Sequence, residues 1–350
     1  MSRDTEFSQI EDASEAPVPL GRGRLVDEGS RQTWPMPAVQ SRRPPRSRPS
    51  ASCVGAPSAR PGGAASSLAP RSAPCPWPDS RRGARARAVR AGEDADRGRT
   101  DGRLRLAGRG GVGKTTTCLL AGHTFASCRG DRVVALDASP DAGTLADRLR
   151  RDTHETVGTL LRDGLRVERY ADVRAYTSQA PSRLEAIAGD DGPAVTQALG
   201  EAQITALIGL LERHYTLLLL DTQAGLLTPA ARAALDCADQ LVVVSPAALD
   251  GAHAAGSTLD WLAVNGHAVL AEQAVAVVNG IPHRHDDIDV DRIEEHFRAR
   301  CRSCVRLPFD PHLGTGTEVD PARLRPATRR ACLELAAAIA TGFTTPRRHR

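Results

Sequence analysis

The sequence predicts an α/β fold: a doubly wound, mostly parallel sheet with helices on both faces, preceded by a disordered N-terminal arm. Three observations carry this expectation. Beyond residue 101, short apolar runs alternate with segments of helical periodicity, the order that builds parallel sheets. The runs, that at 215–220 above all, are continuous in apolar character, as in strands buried on both faces. Before residue 100 the pattern is absent: from Ser30 to Ala91 twelve arginines meet a single acid, Asp79, among many Pro, Ala, Gly and Ser. Such a stretch lacks the apolar surface to offset chain entropy.

The expected organisation is therefore a disordered region at 1–100, one domain at 101–345 and a basic tail at 346–350. For the arm, a Pro/Arg-rich segment for an acidic partner, a solvated tail, and residues upstream of a later start codon are the alternatives. No run of 18 apolar residues and no charged-then-apolar leader occurs, so no integral membrane segment and a cytoplasmic protein, or one peripheral to the membrane through a partner, are expected. The eight cysteines then read as reduced thiols.

The first element of the domain carries its chemistry. Residues 104–117 read LRLAGRGGVGKTTT, with the form Gly108-x-x-x-x-Gly113-Lys114-Thr115 between an apolar run and a helical one, the pattern and context of a phosphate-binding P-loop. Gly108, Gly110, Gly111 and Gly113 let the backbone around Val112 curl its N–H groups about a polyphosphate. The helix expected from Lys114 to about Ala126 adds its N-terminal dipole. Lys114 is placed to reach the β- and γ-phosphates, Thr115 to ligate Mg²⁺ and Thr116 to hydrogen-bond the α-phosphate. Among 46 Lys plus Arg, Lys114 is the only lysine, so a compact ammonium is kept where a planar guanidinium would not substitute.

The chain then offers a buried strand at 132–136 ending in Asp137, followed by Ala-Ser139-Pro-Asp141. An acid at the carboxyl end of a parallel strand lies in the ligand crevice, where Asp137 can orient water or the metal shell; a plain helix N-cap fits Asp141 better. A helix to about Arg151, another at 157–162, a strand at 174–177 and a helix at 203–214 are expected next. The run at 215–220 delivers Asp221 to the sheet edge, before Thr-Gln-Ala-Gly225, as a Walker B acid holding the Mg²⁺ water shell. Strands at 240–244 and 274–278, a helix at 250–265, a strand at 304–307 and a final helix at 326–341 complete the order. Asn279 at a strand end suits an adenine edge or a turn.

With these residues together, the chain resembles the MinD/ParA family of P-loop ATPases, whose loop reads KGGVGKT where this one has Arg109-Gly-Gly-Val-Gly-Lys-Thr115. The resemblance covers residues 102–343 and also rests on Asp137, on Asp221 to Gly225, and on Asn279 followed by Pro308. The phrases DASPDAGTL and PFDPHL look most like actinobacterial MinD-like proteins, some linked to type VII secretion. It implies ATP and Mg²⁺ as cofactors, an ATP-dependent homodimer, slow hydrolysis, and an unknown protein partner that stimulates it. Asn279 and Pro308 would flank the base. Arg109 stands where the family has its signature lysine, and Ser139 where it usually has a second acid. Two rivals stay open: an Mrp-type Fe–S carrier, for which Cys301-Arg-Ser-Cys304 has the spacing, and a nucleotide-bound scaffold without turnover. Arg329, Arg330, Arg347 and Arg348 favour a solvated surface over nonspecific DNA binding, since no aromatics interleave them.

Overall fold

The computed structural model describes residues 102–108, 110–139, 144–190, 199–222, 228–283 and 288–343. Expectations for the arm, Arg109, Asp141, Gly225, Arg347, Arg348 and the basic tail lie outside the described residues. In chain order the strands are β1 (Gly102–Ala107), β2 (Val133–Asp137), β3 (Ser178–Gln179), β4 (Glu185–Ile187), β5 (Leu217–Asp221), β6 (Gln240–Pro246), β7 (Val275–Ile281) and β8 (Ser303–Pro308). They form one sheet in the order β3-β4-β2-β5-β1-β6-β7-β8. Every pairing is parallel except β3 with β4.

Burial on both faces explains the continuous apolar runs. In β5, Leu217 and Leu219 face one core while Leu218 and Leu220 face the other, the period-two alternation of a strand. All four are fully buried, which contributes roughly 6–12 kcal/mol against leaving them in water. One layer holds α1 (Lys114–Cys128) and the last helix (Pro326–Phe343), packed on Leu104, Leu106, Val242 and Val277. The opposite layer holds helices Val157–Asp163, Glu201–Leu211 and Pro229–Cys237 on one side, and Leu249–Leu262 and Val290–Arg298 on the other. The doubly wound sheet is thus as expected.

Local departures have local causes. The helix expected up to Arg151 is only a 3₁₀ turn, Ala146–Arg148. At 174–177 there is no strand: Tyr170–Arg174 is helical, and the Arg174 guanidinium donates to the Thr177 carbonyl and hydroxyl, closing a turn. The pair β3 and β4 is too short to leave a periodic signature. It is held by buried Glu185, whose carboxylate accepts hydroxyl bonds from Tyr170, Thr177 and Tyr215. The helix at 250–265 stops at Leu262, and a π turn (Ala263–His267) follows because Gly266, after Asn265, takes a φ of 88°. Helix Pro229–Cys237 was not expected, although Thr228 caps it from the side chain and Pro229 starts it.

Candidate phosphate-binding site

The carboxyl ends of β1, β2, β5 and β7 converge where α1 begins, the crevice in which open parallel sheets bind ligands. Three glycines let the loop between β1 and α1 exist. At Gly108 (φ +147°) a Cβ would stand 2.5 Å from the Val244 carbonyl oxygen, so only glycine lets the chain pass the end of β6. Gly113 (φ +95°) turns into α1 from the left-handed region, and Gly111 (φ +76°) is left-handed in open space. Helix α1 has no side-chain cap and no acid in its own first turn, so the helix itself supplies no anion to its N-terminal dipole.

Lys114 opens α1 and is 8% exposed. Burial lowers its pKa, and the nearby Asp221 carboxylate works in the opposite direction. Asp221 ends β5 directly beside Asp137 at the end of β2, their Cα atoms paired in register. Burial first pushes the Asp221 carboxyl up to about 7; the Thr115 hydroxyl and Lys114 oppose this, while Asp137 adds to it. Asp137 is fully buried and accepts the backbone N–H groups of Ser139 (3.1 Å) and Leu145 (3.3 Å). Its carboxylate thereby closes the loop after β2 at both ends. The donors gathered at this edge, Thr115, Asp137 and Asp221, are hard oxygens, which suits Mg²⁺ and not a soft metal.

Asn279 takes a part unforeseen from its position. Its Nδ2 donates to the Val112 carbonyl at 2.8 Å, bracing the phosphate loop from β7. The strand kinks just after it, with Gly280 at φ +74° and a shift of register between Asn279 and Ile281, which pairs with Pro308. Asn279 and Pro308 therefore occupy neighbouring strand ends beside the loop.

Two arginines near the cradle escaped notice in the sequence. Arg148, in the 3₁₀ turn, donates from Nη1 to the Thr116 hydroxyl and from Nη2 to the Leu313 carbonyl at 2.9 Å. Arg105, in mid-β1, is fully buried and donates from Nε to Thr222, next to Asp221, at 3.3 Å. Its Nη1 and Nη2 have no partner among the described residues, and burial lowers its pKa to about 9.

No protein-family model matches the chain. The ESX-1 secretion-associated protein EspI of Mycobacterium tuberculosis is 36% identical over 237 residues, which are 67% of this chain and 35% of EspI. The chain thus spans little more than a third of that relative. Among solved structures, a ParA family ATPase from Chlorobium tepidum superposes with a TM-score of 0.55 at 19% identity, covering 67% of this chain and 97% of that one. The fold is that of the MinD/ParA ATPases. The septum site-determining protein MinD of Pyrococcus horikoshii, in complex with Mg-ADP, has a TM-score of 0.53 at 18% identity over 67% of this chain and 93% of its own.

Within this MinD/ParA fold, Cys301 and Cys304 lie at the opposite end of the sheet. Cys304 pairs with Ala276 near the amino ends of β8 and β7, and Cys301 precedes β8. Cys301 donates its thiol to the Phe297 carbonyl at 3.0 Å, and burial pushes the Cys304 thiol up to about 12. Neither is a ready thiolate ligand. Among the described residues there is no cluster of three or more His, Cys, Asp or Glu able to hold a metal, and no helix long and apolar enough to cross a membrane.

Proposed function

We propose that this chain is an ATP-binding, slowly hydrolysing ATPase that works as a nucleotide-dependent dimerisation switch, positioning or regulating a protein partner. The observation that carries the reading is Lys114: the one lysine of the sequence, buried at the start of α1, between a left-handed glycine turn and the Asp221 carboxylate. That arrangement suits the phosphates of ATP, with Gly108, Gly110, Gly111, Val112 and Gly113 as the backbone cradle and Thr116 near the α-phosphate. Thr115 directly, and Asp221 through water, would hold Mg²⁺; the ion would neutralise charge on the β- and γ-oxygens. Asp137 would orient the attacking water, and Asn279 and Pro308 would bound the base. The Mg-ADP found in the horikoshii MinD supports both cofactors.

Dimerisation would place Arg109 of each subunit on the phosphates held by the other, adding positive charge in trans. Hydrolysis would run below the roughly 1–100 s⁻¹ of kinases, because Ser139 brings no carboxylate, until a partner stimulates it. The likeness to the ESX-1 secretion-associated EspI supports a secretion-associated partner, and the switch would act in the cytoplasm, reaching the membrane through that partner. The test is nucleotide titration of the wild type and Lys114→Ala, with Tm of the nucleotide-free proteins as control. Nanomolar to micromolar ATP binding lost in the variant is the expected result; equal affinity in a folded variant removes the basis of the proposal. Light scattering of Arg109→Ala and Asp221→Ala with ATP then checks the switch: a dimer for the second alone is expected, and dimers for both would dismiss the trans contact.

A scaffold that binds nucleotide without turnover is the second reading, favoured by Ser139, whose backbone N–H, not an acid side chain, meets Asp137. Phosphate release measured over hours separates it from slow hydrolysis.

A further inference from the structure

Thr116 is the second residue after the cradle lysine, and its hydroxyl already has a charged neighbour. Arg148 Nη1 donates to Thr116 Oγ1, while Nη2 donates to the Leu313 carbonyl at 2.9 Å. The turn that carries Arg148 is itself fixed on both sides: Leu145 N–H donates to Asp137, and Val319 N–H donates to the Arg148 carbonyl at 2.9 Å. The guanidinium is half-buried, and no acid pairs with it among the described residues.

A threonine hydroxyl has one proton to give and two lone pairs. The guanidinium N–H occupies a lone pair, so the hydroxyl proton is turned away from it. Thr117, by contrast, spends its hydroxyl proton on the Gly113 carbonyl at 2.9 Å, and no such intrahelical bond holds Thr116 among the described residues. We propose that Arg148 is a positioning residue for the α-phosphate of a bound nucleotide: it orients the Thr116 hydroxyl as a donor to that group and brings a positive charge one hydrogen bond behind it. The bond to Leu313 keeps the guanidinium in place. This inference rests on the nucleotide reading of the site and adds to it a residue from the β2 side of the sheet.

The experiment uses the full chain and the two diastereomers of ADPαS, which differ only in which α-phosphate oxygen is sulfur. Titrations are made in EDTA, so that metal preference contributes nothing. The wild type is expected to prefer one diastereomer. Arg148→Met should weaken ADP binding roughly ten- to a hundredfold and bring the diastereomer ratio close to one, as a charge-assisted hydrogen bond is lost. Thr116→Val should do the same, and the double variant should lose no more than the worse single one, since the two act as one unit. A purely structural arginine would lower the Tm and leave the ratio intact. An unchanged ratio in Arg148→Met, or losses that multiply in the double variant, overturns the proposal. Should Arg148→Met not fold, Arg148→Lys is used: the ammonium is shorter and lacks the rigid planar fork that spans Thr116 and Leu313, so a reduced ratio is expected and a wild-type ratio overturns it. If wild type binds no adenine nucleotide, the nucleotide reading itself falls, an outcome distinct from binding that ignores Arg148.

Discussion

Replacing Gly113 by alanine tests whether the phosphate loop and β7 are one mechanical unit. The backbone there has φ +95°, and an added Cβ would lie 2.2 Å from Asn279 Nδ2, the atom whose bond to Val112 braces the loop. Two costs add. Holding alanine in the left-handed region costs roughly 1–2 kcal/mol. Driving the amide off the Val112 carbonyl costs about 1 kcal/mol more. A total of about 2–3 kcal/mol corresponds to roughly 4–12 °C in the Tm of a domain of this size. Gly111→Ala is the internal control, because its φ is +76° but nothing lies within 4 Å of the added carbon. It should lose only the conformational part, roughly 1–2 kcal/mol. Differential scanning fluorimetry of the nucleotide-free proteins reads both. Asn279→Ala closes the cycle: with the amide gone the clash vanishes, so Gly113→Ala in that background should cost about 1 kcal/mol less than in the wild type. Equal losses at Gly111 and Gly113, or strict additivity with Asn279→Ala, would refute the coupling.

Other outcomes follow from the buried groups. Arg105→Met should raise the Tm by roughly 2–8 °C, because an apolar side chain replaces a buried cation with two nitrogens that have no partner among the described residues; a marked loss of stability would refute this. Burial lowers the pKa of His123 to about 4 from an ordinary 6.5, so the unfolded chain takes the proton first as pH falls. Its contribution is full above about pH 6.5 and shrinks by about 2 kcal/mol by pH 5, a loss that His123→Gln should lack in urea melts at pH 7 and pH 5. Cys304, with its thiol pushed up to about 12, should resist iodoacetamide at pH 8 in the folded protein, which peptide mapping checks.

The sheet was legible because its physics is periodic. Continuous runs such as Leu217 to Leu220 announce burial on both faces, and a glycine-rich turn between such a run and a helix announces a loop that must take positive φ. Register was not legible, yet it is register that sets Asp137 beside Asp221. Each acid was read alone from its place at a strand end. Only pairing of β2 with β5 makes them one electrostatic unit, in which the Asp137 carboxylate disfavours ionisation of Asp221. The short pair β3 and β4 was missed because two or three residues carry no period, and its stability comes from hydroxyls distant in sequence meeting Glu185.

Arginines mark the sharper limit. In a chain that uses arginine almost everywhere for positive charge, residue type carries little information about place, and Lys114 stood out only because it broke the rule. Arg105 lies between Leu104 and Leu106 in β1 and is fully buried, where alternation alone would put a charge on a solvated face. Since β1 is the central strand, flanked by β5 and β6, no solvated face exists there, and the side chain runs instead toward Thr222 at the mouth of the segment after Asp221. Arg148 looks in sequence like one of several arginines between Arg148 and Arg151. What separates it is that the turn from Ala146 to Arg148 is tied to Asp137 through Leu145, so its side chain falls on Thr116 and Leu313 and not into water. For Arg148 an acid at a strand end decides where the guanidinium goes, and for Arg105 a threonine one residue beyond such an acid does, relations that no one-dimensional pattern contains.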